Sequence, residues 1–138
     1  MLHIMKPDIQ ITSCPMLEIN VPAGFPSPAR DYIENSLDLN ELMVPHPVAT
    51  YFVKVEGESM SDANISPGDI LVVDRSLDAT DGKIVIAVIE NELTVKRLKI
   101  NNGEYWLYPE NEKFEPVKIE DWMNFFVWGV VTFVVHKA

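Results

Sequence analysis

The sequence predicts a mainly β domain preceded by an extended N-terminal arm. After residue 50, short apolar or alternating runs recur and are separated by Gly, Pro, Asn and Asp. Such runs are typical of strands, and many short strands at close spacing favour an antiparallel sheet. Before residue 31, prolines are frequent and no such runs recur. We therefore place the flexible arm at residues 1–30 and the β domain at residues 31–138.

Proline content sets the character of the arm. Half of the ten prolines fall in it: Pro7, Pro15, Pro22, Pro26 and Pro28. Proline disfavours long helices and favours extended backbone, which a protease cleft can accept as an added strand. Ala23 and Gly24 are small, so a catalytic hydroxyl could approach the carbonyl between them. Composition alone favours a plain proline-rich tail.

The elements of the domain follow from periodicity. Tyr32, Ile33 and Leu37 have approximate helical spacing and predict a short helix within residues 29–43, with a further turn starting at Asp38. Proline and glycine in residues 66–69 predict a type II turn, and Asn101-Asn102-Gly103 predicts a hairpin turn. Seven strands are expected, at residues 51–55, 70–73, 83–89, 93–99, 105–108, 117–119 and 125–135, the last bent at Gly129.

Composition excludes several classes of function. The net charge of −10 argues against non-specific DNA binding, which needs lysine and arginine. A single cysteine, Cys14, allows no intrachain disulfide and is compatible with a cytoplasmic protein. No signal peptide is evident, and the apolar run at residues 125–135 is about half a membrane helix. The three histidines lack metal-ligand spacing, so we expect neither metal nor cofactor.

Two residues stand out as a catalytic pair. Ser59 follows the predicted strand at residues 51–55, and Lys96 lies on the strand at residues 93–99. A serine nucleophile needs a base, and lysine serves in known variants of the triad. At a pKa of about 10.4, only roughly 0.04% of a lysine is neutral at pH 7. Burial lowers that pKa, and Lys96 shares a strand face with Thr94 and Leu98 beside an apolar strand.

These residues also have simpler interpretations. A serine after a strand is usually a turn residue, and a strand lysine is usually solvated. Cys14 as a nucleophile lacks a recognisable histidine partner. Asp62 or Asp69 could suggest a triad, but Asp69 is more simply a turn residue, and a lysine base needs no carboxylate to orient it.

The residues around Ser59 and Lys96 form specific sequence motifs. Residues 57–62 (GESMSD), 65–74 (ISPGDILVVD) and 94–98 (TVKRL) resemble the LexA/UmuD family of self-cleaving serine–lysine peptidases, and most of all its UmuD-like SOS mutagenesis branch. The resemblance extends to residues 24–29 (GFPSPA) and 46–54 (HPVATYFVK), and so covers nearly the whole chain. It implies a fold like the LexA C-terminal domain, with Ser59 as nucleophile and Lys96 as general base.

The same resemblance implies a biological role. Family members cut before a glycine that follows a small residue, which corresponds here to Ala23-Gly24; alanine matches the LexA pattern, whereas the best-known UmuD form has cysteine. Members are homodimers whose self-cleavage is promoted by RecA filaments on single-stranded DNA. The processed dimer then serves a Y-family, UmuC-like polymerase subunit in translesion synthesis. A DNA-binding domain like that of LexA repressors is not visible, so no sequence-specific DNA binding is expected.

Two other functions are alternatives to self-cleavage. A peptidase that processes other proteins, as related signal peptidases do, would call for a membrane anchor, which is not visible. A non-catalytic β binding module, whose arm caps a partner surface, would leave Ser59 and Lys96 dispensable.

Overall fold

The structure, a computed structural model, describes residues 3–7, 13–18, 23–24 and 33–138. Its contacts divide the chain into two units. The larger comprises Met1–Asp8 and His46–Ala138, and the smaller comprises Ile9–Pro45. The predicted boundary between arm and domain at residue 30 stays a prediction.

An antiparallel sheet forms the larger unit. Its strands in the described residues are β1 (His3–Met5), β4 (Thr50–Lys54), β5 (Ile70–Asp74), β6 (Ile84–Ile89), β7 (Glu92–Asn101), β8 (Glu104–Tyr108), β9 (Val117–Lys118) and β10 (Phe125–Val135). They run in the order β1-β4-β5-β10-β6-β7-β8-β9, and every neighbouring pair is antiparallel. This confirms the predicted mainly β fold class.

The smaller unit pairs β2 (Ser13–Glu18) with β3 (Ile33–Asp38) in an antiparallel ladder. Helix α1 (Leu39–Met43) follows, and the Asp38 carboxylate caps it by accepting the Asn40 N–H at 2.9 Å. The turn predicted at Asp38 is confirmed. A helix over Ile33–Asp38 is wrong, because strand pairing overrides a weak helical periodicity. No helix in the described ranges is long and apolar enough to cross a membrane.

Both predicted turns are present. Gly68 has φ +91° and the Asp69 N–H bonds the Ser66 carbonyl at 3.1 Å, as a turn with glycine in third position requires. Asn102 and Gly103 have φ of 50° and 77°, the left-handed pair that closes a tight hairpin between β7 and β8.

The core lies on both faces of β6. Val85 and Ala87 pack in one apolar cluster with Leu98 and Leu107, whereas Ile86 packs in a second one. Successive strand residues point to opposite faces, so both faces are covered. The buried members of the second cluster are Val53, Val55, Met60, Ile65, Leu71, Val73, Ile86 and Val95. Three of them, Val55, Met60 and Val95, border the site described below.

Candidate active site

Ser59 lies in a turn between β4 and a 3-10 turn at Ser61–Ala63. Gly57 precedes it with φ +87°, a conformation that favours glycine. Met60 follows it and is buried in the core, with its carbonyl accepting the N–H groups of Ala63 at 3.0 Å and Ile65 at 3.3 Å. The turn is thereby fixed on one side by an apolar anchor.

A second segment holds the other side of this turn. The Glu110 N–H donates to the Ser59 carbonyl at 2.8 Å, and the Asp62 N–H donates to the Glu110 carbonyl at 2.7 Å. Asn111 Nδ2 donates to the Glu58 carbonyl at 2.8 Å and to Ser61 Oγ at 3.2 Å. These four bonds hold the turn on both sides of Ser59, from Glu58 to Asp62.

Lys96 approaches Ser59 from β7. Its Nζ lies 3.0 Å from Ser59 Oγ, 3.0 Å from Thr94 Oγ1 and 3.1 Å from the Val95 carbonyl oxygen. The pairing of β6 with β7 places Lys96 opposite the fully buried Val85. Burial lowers the pKa of the Lys96 ammonium from its usual value. The two residues singled out from the sequence therefore meet, 37 positions apart in the chain.

The three contacts of Nζ can be made by either protonation state of Lys96. An ammonium has three N–H donors, one for each of Ser59 Oγ, Thr94 Oγ1 and the Val95 carbonyl. A neutral amine has two N–H groups, which Thr94 Oγ1 and the Val95 carbonyl can accept, and one lone pair. That lone pair would be left to accept the Ser59 hydroxyl proton, as a base of a serine nucleophile must.

A small cleft opens beside Ser59. Its volume is about 70 Å³, and it is bounded by the turn on one side and by Leu93, Thr94 and Val95 on the other. Met60 forms part of its wall. A cleft of this size fits a small side chain next to the serine hydroxyl.

A second serine has histidine and aspartate neighbours. Ser76 Oγ donates to Asp74 Oδ1 at 2.5 Å and lies 3.3 Å from His46 Nδ1, and the same Nδ1 lies 2.6 Å from Asp74 Oδ2. A triad uses the two ring nitrogens for different partners. Here one nitrogen makes both contacts, so this group does not form a proton relay.

Asp69 is a turn residue, as expected. Its carboxylate accepts the Ser66 N–H at 2.8 Å and lies 2.6 Å from His136 Nδ1. Burial raises the pKa of this carboxyl group, but the bonds from Ser66 and His136 outweigh it and leave the pKa below its usual value. The backbone N–H of Asp62 donates to the Glu110 carbonyl and so helps to hold the turn that carries Ser59.

The remaining predicted residues lie in the smaller unit. Ala23 and Gly24 form an exposed bend, and Cys14 lies on β2 opposite Leu37. Within residues 3–7, 13–18, 23–24 and 33–138, no three His, Cys, Asp or Glu side chains are grouped to hold a metal ion.

The site contains two contributors that the sequence analysis missed. Thr94 was placed on the face of Lys96 but given no role, although it bonds Nζ. Asn111 was not considered. The signal for Thr94 is its spacing of two from the lysine on a strand, whereas nothing local to residues 109–112 points to Ser59, which lies about 50 residues earlier.

The chain is similar to known proteins over most of its length. The family model described as Peptidase S24-like matches residues 15–132. Protein MucA of Salmonella typhimurium is 48% identical over 124 residues, covering 89% of this chain and 84% of MucA. Protein SamA of Salmonella typhimurium strain LT2 is 39% identical over 141 residues, covering 100% of this chain and 97% of SamA. The LexA repressor of Colwellia psychrerythraea is 39% identical over 100 residues, covering 72% of this chain and 47% of the repressor. A peptidase model matching most of the chain, with relatives at this identity, shows that the chain belongs to the S24-like peptidase family.

Proposed function

We propose that this chain is a serine–lysine autopeptidase that cuts its own backbone between Ala23 and Gly24. The observation that carries the proposal is the 3.0 Å approach of Lys96 Nζ to Ser59 Oγ, together with the burial that lowers the lysine pKa. The exposed bend at Ala23 and Gly24 supports access to the scissile bond, and the small cleft beside Ser59 suits an alanine side chain.

The reaction proceeds in two halves. Neutral Lys96 takes the Ser59 hydroxyl proton as Oγ attacks the Ala23 carbonyl carbon, and backbone N–H groups of the turn, including that of Ser59, stabilise the oxyanion. The C–N bond breaks as protonated Lys96 gives its proton to the Gly24 nitrogen. Water then attacks the ester, Lys96 takes a proton from it, and Ser59 Oγ is reprotonated as residues 1–23 leave.

We place this activity in the SOS response on the family resemblance. RecA filaments on single-stranded DNA would promote the cut in the cytoplasm. The processed homodimer, residues 24–138, would then act as an accessory subunit of a Y-family polymerase. Tethering of the arm makes the unassisted cut unimolecular, so its rate is independent of protein concentration.

The test is intact mass of the purified protein after incubation from pH 7 to 10.5, alone and with RecA, an ATP analogue and single-stranded DNA. We expect a product beginning at Gly24, formed faster as pH rises, because the neutral fraction of Lys96 grows up to its folded pKa. Ser59→Ala and Lys96→Arg should stay full length, since guanidinium remains protonated. Ser76→Ala is the matched control and should be cut like wild type.

The alternative function, a non-catalytic binding module, predicts the opposite result. If the chain is a binding module only, wild type stays intact at every pH and the two variants are indistinguishable from it. Cleavage that persists in Lys96→Arg, or a rate that is flat or falling with pH, would reject Lys96 as the base.

A further inference from the structure

The chain's own N-terminal strand covers one edge of the sheet. β1 pairs antiparallel with β4, with Ile4 opposite Val53 and Met5 opposite Phe52. β1 is the edge strand, and β4 lies between β1 and β5. If β1 left the sheet, β4 would become the edge. An uncovered edge strand offers unpaired N–H and C=O groups to any extended segment.

Lys6 extends this contact with a cation site. Its Nζ donates to the Val48 carbonyl at 2.7 Å, to that of Pro47 at 3.3 Å and to that of Thr50 at 3.4 Å. It also lies 4.1 Å from the centre of the Tyr51 ring. Three carbonyl oxygens and an aromatic face are a suitable surround for an ammonium group.

The main chain and the lysine supply the specific part of the contact. Ile4 is 41% exposed and Met5 is 43% exposed, so neither side chain fills a closed pocket. β4 therefore binds an extended segment in which a lysine directly follows the residues that pair with it. These features do not depend on the rest of the arm, so a segment of another protein could supply them.

The proposed cut changes what holds β1 in place. The bond between Ala23 and Gly24 lies on the only covalent path from Lys6 to β4. While the chain is intact, tethering keeps β1 at an effective concentration in the millimolar range; after the cut it is a free fragment. A three-residue strand is short even for an edge, so we expect the fragment to leave.

We propose that Ile4–Lys6 occupies a docking site on β4 in cis, and that an extended segment of a partner protein, with a lysine directly after its paired residues, takes this site once the arm is released. The site itself stands on the contacts of β4 and Lys6. The exchange rests on the proposed self-cleavage.

Peptide binding to the full chain tests the site. The probe is a fluorescein-labelled peptide with the sequence of residues 1–8, and the readout is fluorescence anisotropy. In the uncut Ser59→Ala protein the site is filled in cis, and binding should be weak. Adding Ile4→Pro and Lys6→Glu to that protein should displace β1 from β4, and we call this triple variant the displaced protein. It should bind the peptide about tenfold or more tightly than the uncut Ser59→Ala protein does. The peptide carrying Lys6→Glu should bind the displaced protein about tenfold more weakly.

Three results would overturn the site: no binding to the displaced protein, equal binding to both proteins, or no effect of Lys6→Glu in the peptide. Adding Tyr51→Ala to the displaced protein should weaken binding severalfold, which localises the probe. Wild-type protein that has cut itself should bind like the displaced protein. If it never cuts, the displaced protein still tests the docking site, while the proposed function and the release by cleavage both fail.

Discussion

As the proposed base, Lys96 must satisfy two opposing requirements. Its nitrogen has to be aimed at Ser59, which the bonds to Thr94 Oγ1 and the Val95 carbonyl accomplish. The same acceptors also favour the charged ammonium, which is useless as a base. Burial acts the other way and lowers the pKa of the Lys96 ammonium from its usual value. The site therefore combines an oriented nitrogen with a lysine pKa below the usual range.

Thr94→Val separates these two effects. Valine keeps the shape of threonine but removes an acceptor that an ammonium uses more strongly than an amine. We expect the midpoint of the pH–rate profile for self-cleavage to move to lower pH, while the alkaline plateau falls about tenfold because Nζ is less well aimed. Thr80→Val, at an exposed threonine, is the control. A midpoint that moves to higher pH would contradict this account.

Asn111 is predicted to position Ser59 through the backbone. Its Nδ2 holds the Glu58 carbonyl, while its Oδ1 accepts the Lys113 N–H at 3.0 Å. Asn111→Asp keeps the acceptor and loses the donor, and Asn111→Ala loses both. Both should lower the alkaline plateau of self-cleavage about tenfold. The midpoint for Asn111→Ala should stay at the wild-type pH, since Asn111 makes no bond to Lys96; a shifted midpoint would mean that Lys96 itself is disturbed.

At the scale of elements, β10 connects the two halves of the sheet. It pairs with β5 on one side and with β6 on the other, and its register with β6 shifts between Val127 and Gly129. A Cβ at Gly129 would lie 2.5 Å from Val73 Cγ1, and Val73 is fully buried. The close approach to Val73 therefore favours glycine at position 129, and the bend predicted there stays a prediction.

Gly129→Ala should destabilise the fold. The added methyl group has to displace a packed core side chain, which costs about 1–3 kcal/mol. Urea unfolding should show a lower midpoint with an unchanged slope. Val48→Ala, at a valine that is 90% exposed, should change the free energy of unfolding by less than about 0.5 kcal/mol. Equal midpoints for Gly129→Ala and wild type would show that β5 and β10 yield at this contact.

Local pattern predicted some elements and not others. Alternation of apolar residues predicts the strands around the site, and turn chemistry predicts the two glycine turns. The sequence motifs around Ser59 and Lys96 predict that these two residues form a pair. The pairing of β1 with β4 does not, because three residues at the start of the chain carry no usable period and their partner lies about 50 residues away. The strand at Ile33–Asp38 was missed for a related reason: its ladder with β2 depends on a non-local partner.

For the whole molecule, two features bear on the homodimer that the family resemblance implies. The end of β10 exposes Phe133 at 37% and Val135 at 44%, which share one face of the strand. Their exposed surfaces favour association through an apolar patch. The net charge of −10 opposes it, because two copies repel each other.

These opposing terms predict how association responds to salt. Sedimentation at micromolar concentration should give about twice the 15.6 kDa chain mass. Raising the salt from about 0.05 to about 0.5 M shortens the Debye length severalfold and screens the repulsion. It leaves burial of apolar surface in place, so the dimer should tighten. Phe133→Asp should shift the population to monomer, since it puts a charge into the patch. Val117→Asp, at the similarly exposed Val117 on β9, should leave the dimer intact. Dimers that loosen with salt would indicate an interface held by ion pairs, and a Phe133→Asp dimer as tight as wild type would place the interface elsewhere.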